Sequence, residues 1–388
     1  MKFAVTVAEF NPFHNGHKYL LDEMKRSADA VVVVMSGNFC QRGEPACLDK
    51  YTRAKHAVLA GADLVLELPA AFSTAPAEIF ASGAVKLLDA LPGEKTLFFG
   101  TETGDKQEFR AIAEKLVGES KAFKQTLKEL LSSGMPYAQA VGDALKATES
   151  GLNFDILYNP NSTLGLEYVK AILNLKSDMD FCPVKRTVGY LDESLKGNIC
   201  SSIAIRKAIE TGEKKKIKKF VPKFVFDDLP ESIVNADQII IYKLLAASAD
   251  DLKEITDCTE GLQNRIKAFS FGANDLSSLI DKLETKRYTR SRLRRIVLNN
   301  ALDITASFME RCLKNNLYLK ALAVAEDRKD VLSALSESKF RLVTRKADAD
   351  KLIFTAKRSF EKDVFANRVY SLLTKTPTNE YEMKIVKR

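Results

Sequence analysis

No apolar stretch in the chain approaches the ~20 residues that a membrane-spanning helix needs, which argues against a helical membrane protein. Paired cysteines are missing too. Cys40, Cys47, Cys182, Cys200, Cys258 and Cys312 are scattered, with no CxxC, so neither a disulfide framework nor a zinc site is expected. They read as reduced thiols in a cytoplasmic protein. No internal repeat and no low-complexity segment occurs beyond one lysine cluster. The opening MKFAVTVAEFNPFHNGH has one lysine and a short apolar run before Glu9, so it reads as a first strand and not a signal peptide. Imidazole is scarce. Only His14, His17 and His56 exist, and two of them sit within four residues.

What is present is enough for a large core. Of 388 residues, 46% are hydrophobic and 28% charged, which excludes wholesale disorder and predicts more than one domain. The overall net charge of +8 is uneven: residues 1–200 carry −3 and residues 201–388 carry +11. The second half is therefore the candidate for a polyanionic partner.

The N-terminal half alternates short Val/Leu-rich runs with helical periodicity. Strands are expected at 3–8, 30–35, 64–68, 96–99 and 181–185, and helices at 17–26, 51–59, 77–88, 106–147 and 165–175. Continuous apolar strands separated by helices indicate a parallel sheet covered on both faces. After Lys214–Lys219 (KKKIKK), which reads as a solvated linker, amphipathic stretches dominate at 231–249, 275–284, 291–302 and 350–373, with one strand-like run at 321–324. The expected fold is α/β: a Rossmann-like parallel-sheet domain over 1–215, then a mainly helical, basic domain over 216–388.

The stretch that carries chemistry is EFNPFHNGH, residues 9–17, where the first strand gives way to a helix. Open α/β sheets bind ligands at such a place, and helix N-termini favour phosphate. His14-x-Gly16-His17 puts two imidazoles around a glycine, able to donate to a triphosphate as charge builds on departing pyrophosphate.

These residues resemble the HxGH/HIGH nucleotidyltransferase superfamily, which shares its fold with class I aminoacyl-tRNA synthetases. Its second motif is matched by Ser201-Ser202-Ile203-Ala204-Ile205-Arg206, with Ile203 replacing the usual Thr. Further motifs are similar to one family in particular, the bacterial tRNA(Met) cytidine acetate ligases. These motifs are MSGNF at 35–39, QRGEPA at 41–46, GADLVLELP at 61–69, FGTE at 99–102, NSTLGLEY at 161–168 and KRYT at 286–289. The resemblance implies activation of acetate by ATP to acetyl-adenylate, with Mg²⁺ on the phosphates. The acetyl group is then transferred to the wobble cytidine of elongator tRNA(Met). It implies ATP contacts at Val7, Ala8, Glu9, Phe10, Asn11, Pro12, Phe13, His14, Asn15, Gly16, His17, Lys18, Tyr19 and Leu20, and at Gly100, Asn161 and Arg186. Two departures stand out: Ser162-Thr163 where the family has Asn-Ile, and Leu191 in Gly189-Tyr190-Leu191-Asp192 where a His is common.

Acetate is ionised at neutral pH, so adenylation needs no general base but does need donors that hold two anions together. His14, His17, Lys18 and Arg206 are the candidate catalytic residues, and no protein metal ligand is identified. The run KRYTRSRLRR at 286–295 offers a cationic face with an aromatic, and Lys286, Arg287, Tyr288, Arg290 and Arg294 are the candidate tRNA contacts. No DNA or membrane partner is expected. A small-molecule adenylyltransferase would also explain HxGH but leaves the basic half idle. A non-catalytic RNA-binding protein on the same fold is the other alternative. The intact His14, Gly16, His17 and Arg206 argue against it.

Overall fold

The computed structural model describes residues 1–135, 137–186, 197 and 199–388. Gly189-Tyr190-Leu191-Asp192 lies outside the described residues. The first half supplies β1 (Lys2–Ala8), β2 (Ala30–Ser36), β3 (Leu64–Leu68), β4 (Glu94–Thr101) and β5 (Asp180–Lys185). The second half adds β6 (Tyr318–Ala325), β7 (Arg341–Val343) and β8 (Lys384–Val386). They form one sheet in the order β8-β6-β3-β2-β1-β4-β5, with β7 also paired to β6. β1 to β5 pair in parallel, while β6 runs antiparallel to β3, setting Lys320 opposite Glu67.

Alternation along the strands divides two cores. Phe3, Val5, Val32 and Val34 face one, with Phe80, Phe109, Leu166 and Phe360. Ala4, Val31, Val33 and Val65 face the other, with Leu21, Ala54, Val58 and Ile205. Each Val, Leu, Ile or Phe among them taken from water contributes ~1.5–3 kcal/mol, which is why the strands tolerate almost no polar residue.

The helical stretch expected at 106–147 is three helices, Lys106–Gly118, Lys121–Ser132 and Tyr137–Thr148. The breaks have local causes. Glu119 turns left-handed at φ 36°, Ser120 caps the second helix through Phe123 N–H, and Gly134 sits at φ 86°. The KKKIKK run is no free linker. Ile217 and Phe220 are buried, and the Lys219 and Phe220 carbonyls accept hydrogen bonds from the Asn15 side chain and backbone, both at 2.9 Å.

The division expected between 215 and 216 does not follow the sheet. Residues beyond 216 are largely helical, but β6 is buried along its whole length between β3 and the pair β7 and β8. Lys320 in its middle interrupts the apolar pattern and shortens the run visible in sequence. The chain leaves β1 toward β2 and β3 on one side and returns to β4 and β5 on the other. The switch point between β1 and β4 therefore opens a crevice at the strands' carboxyl ends.

Candidate active site

The loop from Glu9 to His14 leads from β1 into the helix Asn15–Lys25. Phe10 sits at φ 48°, and the Asn11–Pro12 peptide is cis. Phe10 and Phe13 pack against the His17 ring at centroid distances of 4.9 and 5.5 Å. His14 is the N-cap. Its Nδ1 accepts from Gly16 N–H at 3.0 Å, while His17 Nδ1 accepts from His14 N–H at 3.2 Å. The rings stack at 3.7 Å and 21°. Because both Nδ1 atoms accept, each neutral ring carries its proton on Nε2. Burial, followed by the Arg186 charge, pushes the His14 pKa down to about 3. Burial, then His14 and Arg186, holds His17 well below the usual imidazole range. The site thus offers two parallel, uncharged Nε2–H donors. Gly16 makes this possible, since a Cβ there would lie 2.9 Å from His14 Cε1.

Gly100, near the end of β4, has a similar reason. The aliphatic stem of Arg186 crosses it so closely that a Cβ would meet Arg186 Cγ at 3.2 Å. Arg186 N–H donates to the Thr101 carbonyl at 2.8 Å, fixing the residue just past β5 beside the crevice. Asn161 lies in the first turn of the helix Pro160–Leu175. Its Nδ2 donates to Glu102 Oε1 at 2.5 Å, and Ser162 N–H and Oγ both donate to Glu102 Oε2 at 2.9 Å. Glu102 therefore caps that helix from outside it. Burial opposes its charge, but the hydrogen bonds from Asn161 and Ser162 outweigh it and keep the carboxyl below its ordinary range. The sequence motif contained Glu102 without revealing this role.

Two sequence candidates are engaged within the protein. Lys18 is exposed and pairs with Asp22 one turn on, at 2.9 Å. Arg206 is almost fully covered. It donates to the Asn11 carbonyl at 2.7 Å and to Glu44 Oε1 at 3.0 Å, so it ties the loop after β1 to the helix Ser202–Glu210. Asn11 is buried. Its Oδ1 accepts from Cys47 N–H at 2.8 Å, while Nδ2 has no partner among the described residues, leaving a donor at the loop. The carboxylate of Glu9 accepts from Gln41 N–H at 2.7 Å, and burial raises its pKa.

Sequence reasoning missed the floor of the site. Arg53 is fully buried and donates to the carbonyls of Leu48 (2.9 Å), Glu9 (2.5 Å), Ser36 (3.1 Å) and Gly37, gathering the ends of β1 and β2. Its position beside Ala54, Ala57 and Val58 on the buried face of the helix Lys50–Leu59 was the available signal. Beneath it Lys50 Nζ lies 2.7 Å from Glu67 Oε1 and 2.6 Å from Glu380 Oε1, and Lys320 pairs with the same two carboxylates.

The basic run occupies the helix Arg290–Ala301 and the turn before it. Its arginines already have partners. Arg287 pairs with Glu260 at 2.5 Å, Arg290 with Asp281 at 2.5 Å and Glu284 at 3.0 Å, and Arg295 with Asp257 at 3.8 Å. Tyr288 packs partly into the core, with Arg292 over its ring at 5.3 Å. Lys286 is exposed. Arg294 and Arg290 do not present one free face. Arg294 turns toward the first half, 3.4 Å from Glu44 Oε2, so Glu44 bridges Arg206 and Arg294. His56 is buried against Phe224 with Nε2 2.9 Å from Asp228, as a packing histidine would be. Among the described residues, no three His, Cys, Asp or Glu side chains converge as a metal site, and no helix is long and apolar enough to cross a membrane.

The HIGH Nucleotidyl Transferase family model matches residues 1–384. A tRNA(Met) cytidine acetate ligase from Caldanaerobacter subterraneus subsp. tengcongensis is 38% identical over 95% of this chain and 94% of its own. One from Clostridium perfringens is 34% identical over 96% of each. Among solved structures, Thermotoga maritima TmcAL bound with alpha-thio ATP superposes with a TM-score of 0.91 at 27% identity, covering both chains completely. The apo form gives 0.93 at 28%. Likeness over the whole length, in sequence and in fold, places the chain among the HIGH nucleotidyl transferases, as a member of the tRNA(Met) cytidine acetate ligase family.

Proposed function

We propose that the protein is a cytoplasmic, ATP-dependent ligase that activates acetate and acetylates the wobble cytidine of elongator tRNA(Met). The observation that carries this is the pair of stacked, neutral imidazoles at the carboxyl end of β1, in a chain of this family. An acetate oxygen attacks the α-phosphorus of ATP, the bond to the β-phosphate breaks, and pyrophosphate leaves with the developing charge. The Nε2–H groups of His14 and His17 donate hydrogen bonds to that charge from neutral rings. Arg186, beside Gly100, adds a fixed positive charge at the same crevice. Arg206 acts by holding the Asn11 carbonyl, and Lys18 stands at the rim.

Mg²⁺ would be carried on the triphosphate, where it would offset the phosphate charge; among the described residues no three His, Cys, Asp or Glu side chains converge to hold it. In the second half-reaction the exocyclic amine of an unpaired cytosine attacks the acetyl carbon. The C–N bond forms, the C–O bond to AMP breaks, and the amine loses a proton. An anticodon loop presents such a base without unpairing a helix. Lys286, Arg287, Tyr288, Arg290 and Arg294 are kept as candidate tRNA contacts. Exposed ion pairs such as Arg287–Glu260 are worth only ~0–1 kcal/mol, so phosphate can displace them.

The test is acetate-dependent exchange of labelled pyrophosphate into ATP. The wild type catalyses it, and His14→Ala and His17→Ala slow it by on the order of 10²–10³, the scale of one preorganised donor. Wild-type rates in both variants would remove the imidazoles from the mechanism.

A further inference from the structure

We propose that a cationic cleft between β7 and the start of the helix Phe354–Thr374 holds the backbone of the substrate RNA outside the anticodon loop. The proposal rests on tRNA being the acetyl acceptor. The cleft encloses about 910 Å³, and Lys314, Lys339, Arg341 and Lys351 line it with no acidic residue among the lining side chains. Lys339 and Lys314 lean on Asp89 (2.8 Å) and Glu310 (2.5 Å), both outside the lining. Arg341 and Lys351 are exposed, and their side chains make no hydrogen bond or ion pair within the described residues. They contrast with the run at 287–295, whose arginines are paired internally.

An aromatic completes the cleft. Phe354 is 84% exposed and held at φ 47°, a left-handed conformation that a bulky side chain seldom adopts. Its neighbour Ile353 is 64% exposed. Unpaired cations around a presented ring suit a single-stranded or end-frayed polynucleotide, with phosphates on the cations and a base on the ring. An acidic protein surface would use the cations and leave the ring idle.

The place in the fold agrees. β6 runs antiparallel to β3, so Tyr318 lies at the edge where β1 to β5 end, and Arg341 is its register partner. The cleft thus shares an edge with the catalytic crevice, four strand spacings from β1, or roughly 19 Å. An RNA with its loop in the crevice has to cover ground of this order on the same edge.

The experiment compares full-length wild type, Arg341→Ala/Lys351→Ala and Phe354→Ser. It measures anisotropy of labelled tRNA(Met) across a salt titration, the KM for tRNA, and acetate-dependent pyrophosphate exchange without tRNA. The expected result for the double variant is a salt slope shallower by roughly 0.7–0.9 per lost contact and a KM raised on the order of tenfold, with exchange at the wild-type rate. Phe354→Ser is expected to raise KM without changing the slope. Arg341→Lys/Lys351→Arg should restore both slope and KM, which a packing role would not do. Unchanged slope and KM in the double variant overturn the proposal, as does a KM rise matched by an equal loss of exchange. If the wild type itself fails to acetylate tRNA while exchange proceeds, the acceptor assignment falls instead.

Discussion

Each ring of the His14–His17 pair is used twice. Nδ1 accepts a backbone N–H to start the helix, and in the proposed mechanism Nε2–H donates to the triphosphate. The capping box normally uses Ser or Thr with Glu; here two imidazoles take its place, and each leaves one donor over. The prediction at this scale concerns protonation. Without nucleotide, neither ring should titrate near the usual imidazole pKa, because burial pushes His14 to about 3 and His17 down as well. Below pH 6.5 the unfolded chain binds a proton at each position that the native state refuses, so stability is lost as pH falls from there. For His14 alone this amounts to on the order of 2 kcal/mol between pH 7.5 and 5. Imidazole NMR can read all three histidines of the chain, since His56 is also shifted down, by burial above all. Denaturant titrations of wild type and His14→Gln at both pH values give the energy. A titration near 6.5 in the free enzyme, or identical pH slopes in the two proteins, would show the rings to be ordinary solvated imidazoles. His14, Gly16 and His17 were legible in the sequence because their spacing is itself the device. Arg53, Glu44 and Glu102 were not, because each acts on backbone or side chains tens of residues away.

The short antiparallel hairpin of Phe39–Cys40 and Glu44–Pro45 meets the helix Arg290–Ala301 where the two halves of the chain touch. The turn at Gly43, φ 76°, presses on the helix Arg290–Ala301, and a Cβ would stand 2.5 Å from the backbone carbon of Arg294 and the nitrogen of Arg295. Neither backbone can yield as a side chain would. Gly43→Ala should therefore destabilise the protein by ~1–3 kcal/mol through strain alone. It should also pull Glu44 away from Arg206 and Arg294, raising the KM for ATP and for tRNA together. Chemical denaturation with parallel steady-state kinetics checks both. Full stability with unchanged KM values would mean that the hairpin moves freely on that helix. From the sequence, Arg290 and Arg294 looked like one cationic face, since i and i+4 share a side. Periodicity gives the face but not the neighbour, and the acids at 281, 284 and 44 come from other elements. The start of that helix, in contrast, was read to within one residue from its own pattern.

The whole molecule is closed by a strand from the far end of the chain. β6 covers β3, and Lys320 on it shares Glu67 and Glu380 with Lys50, all four side chains buried. Removing one charge from such a set leaves an uncompensated ion, which costs about 3–5 kcal/mol. Lys320→Met should lose that much in equilibrium unfolding, and Lys320→Met/Glu380→Gln should recover a substantial part. A single variant as stable as wild type would show that the buried network contributes nothing. A chain ending near residue 211 should not fold, since it exposes β3 as an edge and uncovers the Lys50–Glu67 pair. The parallel core of the sheet was visible in sequence because its Val/Leu runs are unbroken. The strand at 318–325 showed in the sequence only as the run 321–324, cut short by the lysine that the network needs, and nothing in that run told that it returns to the first sheet. The central claim joins both halves: one site makes acetyl-adenylate and delivers the acetyl group to RNA. The direct measurement is mass analysis of nucleosides from tRNA(Met) incubated with the intact protein, ATP and carbon-13 acetate, with AMP and pyrophosphate counted alongside. The account predicts labelled acetylcytidine at the wobble position, one AMP and one pyrophosphate per acetyl group, and product formed on the order of 10²–10³ more slowly with His14→Ala. Pyrophosphate release without label in the tRNA, or label transferred at the wild-type rate by His14→Ala, would contradict it.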